Sequence, residues 1–525
     1  MGNVGSQKSL SEFLSRQLDE HGFSQERIQE RINFMKKLSE AKDISTKKLL
    51  NRDDIEKIFV GSQREGTGLN HCNDLDVLQI NHGVSCRIDV HPPNTETGKV
   101  TFQAVQKDKN PGYVLLKLQS EGNNETFQKL EYALAERNGE KYLSSEIFMT
   151  RNEDICQDSA GWIGKNTKYH HPEGPSIPKR TNQNHIESSI LSDLNLETKK
   201  TDVVRAFPCE AIPIIEEWSQ RMRRSGWPSK KTIANEKELT AYVVPVGQRG
   251  SEDEDLQWRV CFTKTEIHLI EDFNIIQTKI SFLMKLIAKH YLQPISNDVT
   301  SYVVKNVMLW MSEEIEQERF CQDDLVARLG DTIKYLKNAV EKKHLSNYMI
   351  PKRNLFEGKI KDDEKVLIMD KLNFLLENGE TLLKMYLTNP DQLPKELKLV
   401  RVAKEIETVQ IEILASLTKE QIAEIYIQMI SCQSQESMIC HNILYNAVPF
   451  LNIYGTEWLS KPLSICRNHR KLLENSFRKC MCGPEDLSKI AINKENDNEN
   501  EEIWRLRCLF VISCICAHTT LLCLI

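Results

Sequence analysis

The sequence carries no surplus of positive charge: 69 Lys and Arg stand against 75 Asp and Glu, a net charge of −6. That excludes nucleic-acid binding through the charge of the whole chain, so any such surface has to be a local patch. No cleavable secretory signal opens the chain, and its 15 cysteines are irregularly spaced. They read as reduced thiols of a cytosolic protein, not as a disulfide framework. A one-residue gap separates Cys480 from Cys482, which makes Cys466, His469, Cys480 and Cys482 a poor zinc set; ordinary buried thiols are the reading. No internal repeat is evident. Acidic and basic side chains are also missing from Cys508 to Ile525. Those 18 residues sit at the lower limit for crossing a bilayer. His518, Thr519 and Thr520 weaken that reading, so a tail anchor and a packed terminal helix both stand.

What is present fits a soluble globular chain, with 40% hydrophobic and 27% charged residues. A length of 525 residues allows two or three domains and a large core. The opening "MGNVGSQKS" fits the Met-Gly-x-x-x-Ser pattern for myristoylation at Gly2, with a plain disordered start as the other reading. A single myristoyl chain binds membranes only marginally. The expected location is cytoplasmic, with membrane association through either terminus left open.

Residues 24–42 predict an amphipathic helix: Ile28, Ile32, Met35 and Leu38 make its apolar stripe, and Ser24 can cap it. Short β-prone runs follow at 56–62, 74–80, "VTFQAV" from Val100, "YVLLKL" from Tyr113, "TDVVRAF" from Thr201 and "LTAYVVPV" from Leu239. Residues 150–198 are polar and read as long loops. From "WRVCFT" at Trp258 the pattern turns helical, with Ile276, Ile280, Leu283 and Ile287 on one face. Residues 484–502 read as a solvated linker. The pattern is a mixed α/β half followed by an α half.

The stretch "VGSQREGTGLNHCNDLDVLQI", residues 60–80, carries the chemistry. Asp74 and Asp76 lie two apart on a strand, so their side chains share a face. Two like charges so close are unfavourable without a cation between them. Carboxylate oxygens suit Mg²⁺, or Mn²⁺ in its place, which takes its other ligands from water and substrate phosphates. Gly61 lets the backbone approach a phosphate, and Ser62 can donate a hydrogen bond to it. Two metals held this way would stabilise both the attacking and the leaving oxygen of a phosphoryl transfer. Read alone, an Asp-x-Asp pair is as easily an ordinary strand end. With 11 residues between Ser62 and Asp74, however, the stretch resembles the signature of the nucleotidyltransferase superfamily.

Three later stretches narrow that resemblance. "GWPSKKT" at Gly226, "VPVGQRGSEDEDLQWRVCFTKTE" at Val244 and "YMIPKRNLFEGKI" at Tyr348 are similar to landmarks of the male-abnormal-twenty-one (Mab) domain family. That family includes cyclic GMP–AMP synthase and the animal cGAS-like receptors. The resemblance implies an α+β, two-lobed nucleotidyltransferase fold: a mixed-sheet lobe with a long N-terminal spine helix, then an all-helical C-terminal lobe. It implies a third metal-binding acid, Asp202, after a loop like "EGPSIP" at Glu173. It also implies nucleotide contacts at Arg259, Glu266, Lys285, Ser301, Tyr302 and Lys305. A lysine there would neutralise triphosphate charge, and a tyrosine would offer a stacking surface. Without the resemblance, Lys285 reads as a solvated helix face and Tyr302 as a core-edge aromatic. Cyclic GMP–AMP synthase carries a zinc-binding insertion before the lysine-bearing helix; "EIHLIEDFNIIQTKISFLMK" contains no cysteine, so no zinc is expected.

The implied function is a metal-dependent innate immune sensor that joins and cyclises ATP and GTP into a cyclic dinucleotide after binding a nucleic acid. Its basic patch would combine Lys36, Lys37, Lys47 and Lys48 with Arg221, Arg223, Arg224, Lys230 and Lys231, binding phosphates through charge. A solvated basic surface is the bland alternative. Double-stranded RNA is the preferred ligand, since the zinc device is missing and shape recognition suits a duplex. The resemblance leaves room for a homodimer on that ligand. The competing readings are a catalytically silent regulator of the same fold and a membrane-tethered scaffold. The expected divisions are a flexible start at 1–23, a nucleotidyltransferase core at 24–265 and a helical lobe at 266–380. An additional helical region at 381–483, the linker at 484–502 and an apolar segment at 503–525 complete the chain.

Overall fold

The computed structural model describes residues 2–68, 74–88, 98–122, 124–151, 167–169, 174–181, 200–236, 240–388 and parts of 411–424. The four-residue cysteine and histidine set, the 484–502 linker, the 503–525 segment and most of the 381–483 region lie outside the described residues. Among the described residues, no helix is long and apolar enough to cross a membrane.

The strands in chain order are β1 (Ile55–Val60), β2 (Asp74–Asn81), β3 (Val84–Arg87), β4 (Val100–Gln106), β5 (Tyr113–Ser120) and β6 (Leu134–Arg137). They continue with β7 (Glu140–Leu143), β8 (Thr167–Tyr169), β9 (Ser176–Thr181), β10 (Lys200–Glu210), β11 (Ala241–Val244) and β12 (Gln257–Cys261). The principal helices are α1 (Gly2–Leu18), α2 (Gln25–Leu50), α3 (Gly61–Arg64), α4 (Ile212–Gln220) and α5 (Thr263–Glu271), then α6 (Ile275–Ile287), α7 (Ser301–Glu314), α8 (Leu325–Glu341) and α9 (Asp362–Thr388). Strands thus run through Cys261 and helices follow, which is the expected α+β class. The chain divides into two compact units: residues 1–28, 81–151 and 206–398, and residues 29–80, 152–205 and 399–525.

In the first unit the second half of β10 pairs with β11, β11 with β12, β12 with β5, β5 with β4, and β4 with β3. β3 then pairs in parallel with β10, Cys86 opposite Cys209, so this ladder closes on itself. Closure removes the unpaired edges that an open sheet presents to other chains. Alternation along the strands buries Val100, Phe102 and Ala104 on β4 and Trp258 and Val260 on β12. Trp258 stacks 5.2 Å from both Phe148 and Phe207, and its indole N–H donates to the Leu143 carbonyl at 2.8 Å. Burial pushes the Cys86 and Cys209 thiols well above their ordinary range, so they are packing groups there.

The helical part of this unit includes the start of the chain, which corrects the expectation of a flexible segment at 1–23. Leu10, Leu14 and Leu18 recur every four residues and are buried, the stripe an amphipathic helix needs. The Val326 amide donates to Ser11 Oγ at 3.1 Å, and Phe23 lies against Phe282 with ring centres 3.9 Å apart. Lys279 on α6 is buried and donates to the Ser15 carbonyl and hydroxyl at 3.0 and 2.8 Å, while Asp19 pairs with it at 2.6 Å. Burial lowers the Lys279 ammonium from its ordinary value, and Asp19 opposes that shift. Asn274 caps α6: its side chain accepts from the Ile276 and Gln277 amides, and Gln277 returns a bond to the Asn274 amide.

In the second unit β1 and β2 are neighbours, β2 lies beside β10, and β9 pairs with the first half of β10 and with β8. The helix expected over 24–42 extends to Leu50, and Ile32, Met35, Leu38 and Ala41 are buried. The Ser39 hydroxyl accepts from the Phe59 amide and Asp43 from the Lys57 amide, tying the helix to β1.

If α1 is docked through Leu14, the amides of residues 10–18 exchange slowly in the native chain. Leu14→Ala, a deletion of the kind that costs about 2–5 kcal/mol in a packed core, accelerates them together. Hydrogen exchange with mass spectrometry reads this, and coil-like exchange in the unmutated chain would contradict the docking.

Candidate active site

The second unit holds the acids. β1 alternates buried and half-buried residues and ends at Val60. The chain then turns at Gly61, whose φ of +71° is a conformation that side chains rarely tolerate. The Ser62 carbonyl accepts from the Thr67 and Gly68 amides at 3.1 and 2.6 Å, which closes a compact turn over α3. A Cβ built on Gly61 would lie 2.0 Å from Asp76 Oδ2. The Asp76 carboxylate therefore rests against the Cα of the Gly-Ser turn, and only glycine permits that approach.

Asp74 opens β2, the strand that carries Asp76. β2 neighbours β10, where Asp202 lies near the start, opposite Pro178 of β9. Asp76 and Asp202 are both half-buried. The structure thus places the three predicted acids on two adjacent strands and sets one of them on the glycine turn. Oxygen donors of this kind suit Mg²⁺ or Mn²⁺ in charge and hardness. Among the described residues no three His, Cys, Asp or Glu side chains cluster as a complete metal set. A cation bound by two or three carboxylates would complete its shell with water and phosphate oxygens.

The predicted nucleotide contacts belong to the first unit. Glu266 on α5 is buried, and the Tyr302 hydroxyl donates to its Oε1 at 2.8 Å. Lys305 Nζ lies 3.9 Å from its Oε2. The Asn347 side-chain amide donates to the same tyrosine oxygen at 2.9 Å, and Asn306 donates to the Tyr302 carbonyl at 2.9 Å. Burial, then the Glu266 charge, pushes the Tyr302 hydroxyl far above its ordinary range, so it stays a donor at neutral pH. The ring is therefore fixed from both sides. Glu266 acts by holding Tyr302 and Lys305. Ser301 is exposed at the first position of α7, where Thr300 caps the helix, and Lys285 is half-buried in the last turn of α6. Sequence reasoning missed Asn306 and Asn347; their spacing carries no signal, because their roles depend on a loop returning to α7.

Part of the expected nucleic-acid patch is spent inside the fold. Arg221 donates to Glu313 Oε2 at 2.8 Å and to the Tyr348 carbonyl at 2.8 Å, with its guanidinium 4.5 Å from the Trp310 and Tyr348 ring centres. Arg223 bonds the same Glu313 oxygen and lies over Trp218. Both are structural cations, a correction to the predicted patch. Lys37 donates to the Ala415 and Leu417 carbonyls, Lys47 pairs with Asp43, and Lys48 lies 3.7 Å from Glu424. Lys36, Arg224, Lys230 and Lys231 are exposed.

The glycine turn yields a test by contrast. Gly61→Ala meets both a positive φ and the Asp76 carboxylate, whereas Gly98→Ala meets a φ of +85° with nothing within 4 Å. Gly61→Ala is expected to cost about 1–3 kcal/mol more than Gly98→Ala, read from urea midpoints. Equal costs would mean that Asp76 does not press on Gly61.

Residues 95–272 match the Mab-21 protein nucleotidyltransferase domain, and residues 277–373 match the Mab-21 protein HhH/H2TH-like domain. Together the matches cover more than half of the chain. Asp202, Arg259 and Glu266 fall inside the first, and Lys285, Ser301, Tyr302 and Lys305 inside the second. Gly61, Ser62, Asp74 and Asp76 precede both, so their assignment rests on the turn and strand geometry. The chain belongs to the Mab-21 family of nucleotidyltransferases, with the nucleotidyltransferase domain followed by the family's helical domain.

Proposed function

We propose that the protein is a metal-dependent nucleotidyltransferase that joins and cyclises ATP and GTP into a cyclic dinucleotide after sensing nucleic acid, with double-stranded RNA the favoured ligand. The observation that carries this reading is the Asp76 carboxylate set on the Gly61 turn, one strand from Asp202. Asp74, Asp76 and Asp202 would hold the cation. When bound, such a cation neutralises triphosphate charge and favours the ionised form of an attacking hydroxyl. Gly61 lets the Asp76 carboxylate reach the turn, and Ser62 can donate to a phosphate drawn there. In each joining step a ribose hydroxyl attacks an α-phosphorus, its proton is lost, and pyrophosphate leaves. A second such step within the linear product closes the ring. The clamped Tyr302 ring offers a stacking face for a base.

Sensing in defence is the role such chemistry would serve. The exposed cations that the first unit offers to duplex phosphates are Arg224, Lys230 and Lys231, fewer than the sequence promised.

Purified full chain with ATP, GTP and Mg²⁺ or Mn²⁺ is expected to give a phosphatase-resistant dinucleotide when duplex RNA is added. Asp76→Asn should lower the rate at least about 100-fold, since even outer-shell partners of metal sites are worth 10–100-fold. Arg224→Glu combined with Lys230→Glu should raise the RNA concentration for half-activation, with a weaker salt dependence. A native chain silent with RNA and DNA duplexes would overturn the reading, as would product unchanged in Asp76→Asn.

A further inference from the structure

The first unit has an open sheet edge with a cavity beside it, and neither has a role in the proposal above. β6 and β7 form a hairpin in which Arg137 lies opposite Glu140, so its loop is Asn138 and Gly139 alone. Both loop residues have positive φ, 56° and 76°, as the primed turn that suits a hairpin's twist requires. β7 joins the sheet through β5, whereas β6 pairs with β7 only among the described residues. So short a loop makes Arg137 and Glu140 a hydrogen-bonded pair, and such pairs alternate along the strand. The Ser144 amide donates to the Ala133 carbonyl at 2.8 Å, in agreement with that phase. Arg137, Ala135 and Ala133 therefore turn their backbone groups toward β7, while Leu134 and Glu136 turn theirs outward. The Leu134 amide folds back to the Glu131 carbonyl. The Leu134 carbonyl and both backbone groups of Glu136 have no partner among the described residues.

The cavity has a volume of about 650 Å³, within the range of ligand sites. Leu134 and Glu136 reach it from one face of β6 and Ala135 from the other, so it lies along the free edge of the strand. Phe127 gives it buried apolar surface, and Tyr132 an aromatic wall. The Tyr132 hydroxyl donates to the Phe148 carbonyl at 3.0 Å, which fixes the ring. A guanidinium rests on that ring: Arg151 lies 4.1 Å from its centre. Three exposed carboxylates, Glu121, Glu131 and Glu136, line the cavity against two cations, Lys141 and Arg151. Among the described residues no cation forms an ion pair with those carboxylates.

A free edge of this kind accepts an extended peptide as a further strand: main-chain bonds give affinity, and side-chain pockets give specificity. A second copy of this chain is a poor guest, because its own β6 would bring the same carboxylates against these. A basic segment removes that conflict, and arginine suits the face of Tyr132. We infer that β6 and the cavity beside it bind an extended, basic segment of a partner protein as an added strand. Both backbone groups of Glu136 bond the segment, and the Leu134 carbonyl accepts from it. An arginine of the segment takes the place of Arg151 on Tyr132, and the three carboxylates set the preference for positive charge. The site uses neither the acids of β2 and β10 nor Tyr302, so it stands without the catalytic reading.

Fluorescence anisotropy of the full chain tests this, with a short labelled peptide in which arginine alternates with valine. The native chain is expected to bind it, with affinity falling as salt rises. The same peptide with glutamate in place of arginine should not bind. Glu131→Gln combined with Glu136→Gln should weaken binding by about tenfold. Both side chains are exposed, so that variant should keep the native melting temperature. N-methylating the peptide backbone leaves its charge but removes its donors, and should also weaken binding by about tenfold or more. Asp76→Asn should bind the peptide as the native chain does, even if it abolishes turnover, which separates failure of this inference from failure of the catalytic one. No binding, equal binding of the glutamate or N-methylated peptide, or binding unchanged in the double variant would overturn it. Sedimentation of the chain alone tests the second copy: a dimer that the peptide dissociates would assign the edge to self-pairing and overturn the proposal.

Discussion

Glu313 is buried near the end of α7, where two guanidinium groups and the Tyr348 hydroxyl converge on one of its oxygens. A carboxylate taken from water is tolerable only with such company, and each partner is then fixed in turn. Arg221 is held between Trp310 and Tyr348, Arg223 over Trp218, and Tyr348 has its hydroxyl locked as a donor by burial and by the Glu313 charge. The same requirement governs Lys279, which brings α1 onto the bundle through Ser15 and Asp19. It also governs Glu266, which orders Tyr302 and Lys305. The helical portion of the first unit is organised around buried charges that must be met, and the fixed Tyr302 ring is one result.

The acids of the second unit obey a different constraint, close approach. Gly61 sits where a methyl group would occupy the position of an Asp76 oxygen. The turn and the strand can therefore come together only if one residue has no side chain. Glycine at this position is explained by the space that the Asp76 carboxylate takes.

Much of this was legible in the sequence, for identifiable reasons. The strands at Val100, Tyr113 and Thr201 and the helix at Ile275 follow from periodicity alone. The acid pair needed its 11-residue spacer to rise above a strand end. The first 23 residues were misread because the Met-Gly-x-x-x-Ser opening points to lipidation or a disordered start, which left the four-residue spacing of Leu10, Leu14 and Leu18 unused. Arg221 and Arg223 were misread because a run of basic residues looks solvated until its acid is found, and Glu313 lies about 90 residues further on. Pairings across such distances leave no local trace. The closed ladder from β10 back to β3 is invisible for the same reason.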